Sequence, residues 1–319
     1  MLAKALTSQR TPKGKALTSQ RTPKGKALTS QRTPKGKALT SQRTPKGEGD
    51  VIKVGAVAYD PKVVPIWEGI RDYFRERGIE TDYILFSNYD AQVEALLSGF
   101  IDVAWNTNLA YVKVFRRTGG RCRALAMRDT DIDFTSKIIA RAESGIETVE
   151  DLRGKRVAFG SRDSGQAAIL PAYFLKQLGI DPERDITAIK FDLDVGKHGD
   201  TGTSEVRVLE AVERGESDAG AIGDQYWARV LSEGLVDSAK VKAIWTSPPY
   251  CHCNFTVLDN GDQERFRQWT EALLAMDYND PAHRRIMDME GLKRWVRPEM
   301  GGYRPLFEAV DALDFFGQR

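Results

Sequence analysis

Cysteine and histidine are scarce in this chain of 319 residues, with three of each. A small, odd number of cysteines excludes a disulfide framework, though it leaves room for one bridge. No run of about 18 apolar residues occurs, so no segment reads as a membrane-spanning helix. The signatures G-x-S-x-G, H-E-x-x-H, the Walker loop and G-x-G-x-x-G are also missing, which removes the usual hydrolase, zinc-protease and nucleotide-binding readings. Acidic residues are absent from residues 1 to 47, and so is every large apolar side chain except leucine after the first methionine.

That acid-free stretch is a tandem repeat. Residues 4 to 47 are four identical copies of the 11-residue unit KALTSQRTPKG. One proline and one glycine per unit break any helix, and the composition buries too little surface to fold. A disordered basic arm is therefore expected over residues 1–48. Identity between copies points to a recent duplication of DNA, and one expectation is that the arm precedes the true start. The first residues lack the apolar core and small-residue cleavage site of a signal peptide, so a cytoplasmic location is expected if the start stands as given. Twelve of the 47 lysines and arginines lie in residues 1 to 47, leaving 35 basic against 45 acidic residues and a net −10 for the rest. An acidic body gives no support to nucleic-acid binding.

From Val51 onward, strand-like and helix-like patterns alternate. VIKVGAVAY reads as a strand, PKVVPIWEGIRDYFRERGI as an amphipathic helix, TDYILFS as a strand, DAQVEALLSG as a helix and FIDVAWN as a strand. This order predicts a parallel sheet with helices on its faces. A further helix and a strand around Arg123 to Arg128 follow, and TSKIIARAES reads as a strand leading out of the first unit. A crossing is expected at Glu143, Ser144 and Gly145. The grammar then repeats through KRVAFGS, QAAILPAYFLKQLGI, ITAIKFD, TSEVRVLEAVERG, DAGAIGD, YWARVLSEG and VKAIWTS. FTVLD is expected to add a strand to the first lobe, and the helical tail to pack back on it through Leu306, Val310, Leu313 and Phe316.

The stretch VAFGSRDSGQAAILPAYFLKQLGI runs from a strand through a small-residue turn into a helix. Free N–H groups at such a helix start, with the Ser164 hydroxyl, suit an anion. A plain connection with Ser164 as N-cap is the structural alternative. Other polar residues cluster at strand tips, where an α/β domain carries its ligand. They are Tyr59, Asn106, Asn108, Asp163, Gln166, His198, Asp200, Thr201, Glu205 and Asp224. Such carboxylates fit a guest that brings a proton, an amine or a metal.

Cys251-His252-Cys253 offers soft metal ligands. On an extended chain Cys251 and Cys253 share a side while His252 points away, and the second cysteine pair of an ordinary zinc site is absent. These three are kept as weak metal candidates, and no cofactor is expected. Cys122 reads as a core residue.

VGAVAYDP, YDAQVEALLSGFIDVAWNTNLAYV, DLRGKRVAFGSRDSGQAAILPAYFLKQLGID and VLEAVERGESDAGAI together resemble the periplasmic phosphate/phosphite/phosphonate-binding proteins of ABC importers. The resemblance implies an α/β, two-lobed type-2 periplasmic-binding-protein fold, each lobe a mostly parallel sheet flanked by helices around a ligand cleft. Its implied lobes are residues 49–143 with 250–319, and 144–249. By the same resemblance, Asp163, Ser164, Gly165 and Gln166 hold an oxyanion. Tyr59 with Asn106 or Tyr111 contributes from the first lobe in the same way; the strand-tip reading adds Asn108 to that wall, His198, Asp200 and Asp224 as specificity contacts, and Thr201 as a further ligand-binding residue. The implied function is capture of a small oxyanion or zwitterion by a monomer in the periplasm or cell envelope, for delivery to ABC transporter membrane subunits, without catalysis. A cytoplasmic enzyme on the same fold, metal-dependent through the Cys-His-Cys segment, and a solute sensor are the alternatives.

Overall fold

The alternation of apolar strands and amphipathic helices folds into two five-stranded sheets. The computed structural model describes residues 51–317, and the arm expected over residues 1–48 lies outside them. In chain order the elements are β1 (Ile52–Val57), α1 (Val63–Glu76), β2 (Thr81–Phe86), α2 (Tyr89–Leu97), β3 (Val103–Asn106), α3 (Asn108–Thr118), β4 (Cys122–Ala124), β5 (Met127–Arg128) and β6 (Ser136–Arg141). They continue with β7 (Arg156–Phe159), α4 (Leu170–Gln177), β8 (Thr187–Lys190), α5 (Thr203–Glu213), β9 (Ala219–Gly223), α6 (Asp224–Ser232) and β10 (Val241–Thr246). The tail holds β11 (Asn254–Leu258), α7 (Gln263–Leu274), α8 (Pro281–Glu290), β12 (Trp295–Val296) and α9 (Arg304–Ala312).

The first sheet has the order β2-β1-β3-β11-β4 and the second β10-β6-β9-β7-β8. Each is parallel apart from one reversed strand, β11 in the first and β6 in the second. Those are the strands entered directly after the chain changes sheet. The outward crossing therefore runs through residues 129–135, not Glu143 to Gly145, because the expected exit strand Ser136–Arg141 pairs with β9 and β10. The return crossing is residues 247–253. The two crossings bond to each other: Phe134 and Tyr250 exchange both backbone hydrogen bonds at 2.9 Å, and the His252 N–H donates to the Asp131 carbonyl at 3.0 Å. Two short segments paired in this way make up the connection, or hinge region, between the sheets.

Around the first sheet the core is aromatic. Phe74 and Trp269 stack at 4.9 Å, and Phe255 meets Trp105, Trp269 and Trp295 at 4.5 to 5.4 Å. Leu306, Ala309 and Val310 of α9 pack with Leu109 and Val112 of α3 and with Leu170, Tyr173 and Phe174 of α4. The last helix thus spans both halves, where packing on the first lobe alone was expected.

The helix expected from Gln166 begins with a wide turn over Gly165–Ile169 instead. Pro171 has no N–H for the Ala167 carbonyl four residues back, and the Gly160 N–H takes that carbonyl at 2.9 Å. The Ile169 N–H reaches back to the Ser164 carbonyl at 2.9 Å, which is the five-residue spacing of a π-turn.

Candidate functional site

Where the two halves and the hinge converge, they line a cavity of about 350 Å³. Tyr59 follows β1, Trp105 lies on β3 and Arg128 on β5; Asp288 to Gly291 come from the end of α8. The second half contributes Gln166, Gly199 to Gly202, Glu205, Gly223, Gln225, Tyr226 and Arg229. Phe134, His252 and Cys253 come from the crossings.

Carboxylates dominate the interior. Arg128 is committed to Asp131, with Nε donating to Oδ2 at 2.6 Å and Nη2 to Oδ1 at 2.8 Å, and its third nitrogen donates to the Glu290 carbonyl at 3.0 Å. Burial works to raise the Asp131 carboxyl, but the Arg128 guanidinium outweighs it and holds the group near 2. Elsewhere burial prevails: it lifts Asp200 to about 6, Glu205 to about 7 and Glu290 to about 7. The same burial raises the Tyr59 hydroxyl and the Cys253 thiol. Cation-assisted hydrogen bonds are the strong ones, and here an internal acid has already taken the most buried guanidinium. Lys62 and Arg229 are the remaining cationic chains on the wall.

Of the residues read from the sequence, Tyr59, Gln166, Asp200, Thr201 and Glu205 reach this cavity, as do His252 and Cys253 of the Cys-His-Cys segment. The rest of the turn does not. Ser164 is fully buried, its hydroxyl accepting from the Ala167 N–H at 3.1 Å as an N-cap, and Gly165 is packed against Asn108. Segment 192–202 folds over that turn. Gly199 has φ +86°, and a Cβ there would come within 2.5 Å of the Ser164 hydroxyl, so only glycine allows the approach. The anion cradle expected at Asp163-Ser164-Gly165 is therefore covered. Asp163 accepts instead from the Gly196 N–H at 2.6 Å.

His198 sits behind the cavity in a left-handed backbone conformation. Its Nδ1 lies 2.6 Å from the Thr107 hydroxyl, its ring stacks on Tyr89 at 4.6 Å, and burial pushes its pKa well down. Asn106 is bonded internally to Gln92 and Thr256 at 2.8 and 3.0 Å. Asn108 points its amide at the Cys251 carbonyl at 3.4 Å, and Tyr111 packs on Tyr303 at 4.9 Å. Asp224 accepts from the Thr135 N–H and hydroxyl at 3.1 and 3.0 Å, which fastens the outward crossing. None of these five lines the cavity, because local hydrogen bonding or packing claims each side chain.

The Cys-His-Cys segment also differs from expectation. His252 and Cys253 both face the cavity, rather than opposite sides, while Cys251 turns to the Glu299 carbonyl at 3.4 Å. Sequence reasoning missed Arg128, Asp131 and Glu290. Their i, i+3 pair and their place before a helix-ending glycine look like ordinary surface features.

A model of the family described as "ABC transporter, phosphonate, periplasmic substrate-binding protein" matches residues 56–303. The chain is 26% identical over 248 residues to a probable ABC transporter phosphite-binding protein of Prochlorococcus marinus, covering 75% of this chain and 80% of that one. A solved structure of PhnD1 from the same species, in complex with methylphosphonate, superposes with a TM-score of 0.66 at 22% identity over 83% of this chain and 98% of the other. XAC2383 from Xanthomonas citri, solved with ATP, gives a TM-score of 0.65 at 18% identity over 83% and 97%. At these identities the two structures speak for the fold.

Proposed function

Because the chain belongs to the family of periplasmic substrate-binding proteins of phosphonate ABC transporters, we propose that its cavity captures a small phosphorus oxyanion that also carries positive charge. The binding component of an ABC importer hands its solute to membrane subunits, and this chain does so in our reading as a monomer in the periplasm or cell envelope. Among the described residues no helix is long and apolar enough to cross a membrane.

One observation supports the zwitterion. Asp200, Glu205 and Glu290 line the cavity together, while its most buried guanidinium is already held by Asp131. Above about pH 7, where all three are ionised, a bare dianion would meet these carboxylates without enough cationic compensation. An ammonium on the ligand compensates the carboxylates, and Lys62 and Arg229 take the phosphoryl oxygens. Tyr59, Gln166 and Thr201 complete the contacts in this assignment. No reaction is assigned, since burial holds the one thiol on the wall protonated.

Calorimetry with inorganic phosphate, methylphosphonate and 2-aminoethylphosphonate tests the proposal. The aminophosphonate is expected to bind at least tenfold tighter than methylphosphonate. Glu205→Gln should shrink that preference without weakening methylphosphonate. Equal affinities in the wild type would overturn the zwitterion assignment.

A further inference from the structure

The hinge brings together an imidazole, a thiol and a carboxylate that a phosphonate site does not need. Asp131 stands on the outward crossing, His252 and Cys253 on the return crossing, and all three are buried. Their ligand atoms lie within 4.8 Å of one another. His252 Nδ1 is 3.0 Å from Cys253 Sγ and 3.6 Å from Asp131 Oδ1. The two distances from His252 Nδ1 approximate edges of a tetrahedron with metal–ligand bonds of about 2.0 to 2.3 Å.

The surroundings favour the same reading. His252 Nε2 lies 3.2 Å from Gln166 Oε1. With the ring proton on Nε2 and donated to that acceptor, the Nδ1 lone pair is free for a metal. Arg128 fixes the Asp131 carboxylate in its plane through both oxygens, and each oxygen retains a second lone pair. Once ionised, Asp200, Glu205 and Glu290 around the cavity offset the positive charge of Arg128 beside the site.

We propose that Asp131, His252 and Cys253 bind zinc(II) in a tetrahedral site whose fourth position opens into the cavity. A nitrogen, sulfur and oxygen donor set with one open position suits this borderline-soft ion. On binding, the Cys253 thiol gives its proton to solvent and the thiolate bonds the ion, with no change of oxidation state. An oxygen of a captured anion or a water fills the fourth position. The ion would join one crossing to the other, so its presence stiffens the hinge. This site does not depend on the ligand assigned above.

Cobalt(II) is the probe, because thiolate-to-cobalt charge transfer and tetrahedral d–d bands report the donor set. Metal-free full-length chain titrated with cobalt(II) is expected to develop a near-ultraviolet charge-transfer band that saturates at one equivalent and disappears on adding zinc(II). Cys253→Ser, close in shape, removes the band. Cys251→Ser and Cys122→Ser keep it, since both of those thiols are turned away from the cavity. Gln166→Leu is expected to lower zinc affinity on the order of tenfold through loss of the Nε2 acceptor. Cooperative unfolding of each metal-free variant shows that it is folded, and His252→Asn, which also removes the band, substitutes for Cys253→Ser if that variant is not. No band in the wild type, or a band that survives both Cys253→Ser and His252→Asn, overturns the site. Binding of methylphosphonate without a cobalt band also overturns it, and leaves capture of an oxyanion standing.

Discussion

Glu205 shows how a buried acid sets stability against recognition. Its Oε1 accepts from the Gly223 N–H at 2.6 Å, yet burial raises its pKa from 4.5 to about 7. A carboxyl with a folded pKa above its unfolded value opposes folding, increasingly as pH rises from 4.5 and in full above about 7. Glu205→Gln keeps the acceptor for Gly223 and removes the charge. At roughly 1.4 kcal/mol per pKa unit, the variant is expected to gain on the order of 3 kcal/mol at pH 8. The gain should fade as pH falls through 7 toward 4.5, and urea unfolding across that range reads it. A gain independent of pH would mean that packing, not charge, is responsible. Such a variant would exchange ligand preference for stability, as binding sites commonly do. At this scale the sequence was partly legible. Asp200 and Thr201 stood out in KHGDTGTSE as polar residues at a strand tip, whereas Ser164 looked equally available. Its enclosure depends on Gly199 arriving from 35 positions away in the chain, a contact that local composition does not encode.

The segment between β8 and α5 acts as a strap across the two halves. Gly196 accepts from the Tyr89 N–H at 2.9 Å, Lys197 Nζ donates to the Ala58 carbonyl at 2.7 Å, and His198 meets Thr107. The Tyr89 hydroxyl donates to Asp200 beside the cavity. Tyr89→Phe leaves that buried carboxylate without its donor, at a cost of about 1 to 3 kcal/mol. Because the loss is local, amide exchange over residues 194–202 should accelerate roughly tenfold or more while β1 and β3 keep their protection. Uniform acceleration would show that the strap is no separate unit. Most strands and helices were legible from periodicity, since two-sided burial writes continuous apolar runs such as VAFG and AGAIG. Sheet membership was legible only in part: FTVLD was placed with the first sheet, where β11 lies, but the exit strand was not. Ser136–Arg141 has the same apolar pattern in either sheet, and only its pairing with β9 and β10 places it.

Across the whole molecule, charge opposes the simplest ligand of the family. The chain after residue 47 carries a net −10, offset by the twelve basic residues before it. A negative body repels an approaching dianion, and salt weakens that repulsion once the screening length falls to about 10 Å at 0.1 M. Association of methylphosphonate with a chain lacking residues 1–47 is therefore expected to quicken as salt rises from 10 to about 150 mM. The full chain, with its twelve added positive charges, should show a smaller increase or none. The ammonium halves the net charge of 2-aminoethylphosphonate relative to a phosphonate dianion, so its association rate should respond more weakly to salt than that of methylphosphonate with either chain. Stopped-flow fluorescence can follow all four combinations, because Trp105 and Tyr59 line the cavity. If methylphosphonate instead slows with salt on the shortened chain, local cations at the mouth outweigh the body's field. Lys62 and Arg229 would then be the steering residues, and their alanine variants should abolish the dependence. The opposite slope makes selection of a charge-balanced ligand a property of the entire surface, reinforced by the three carboxylates within.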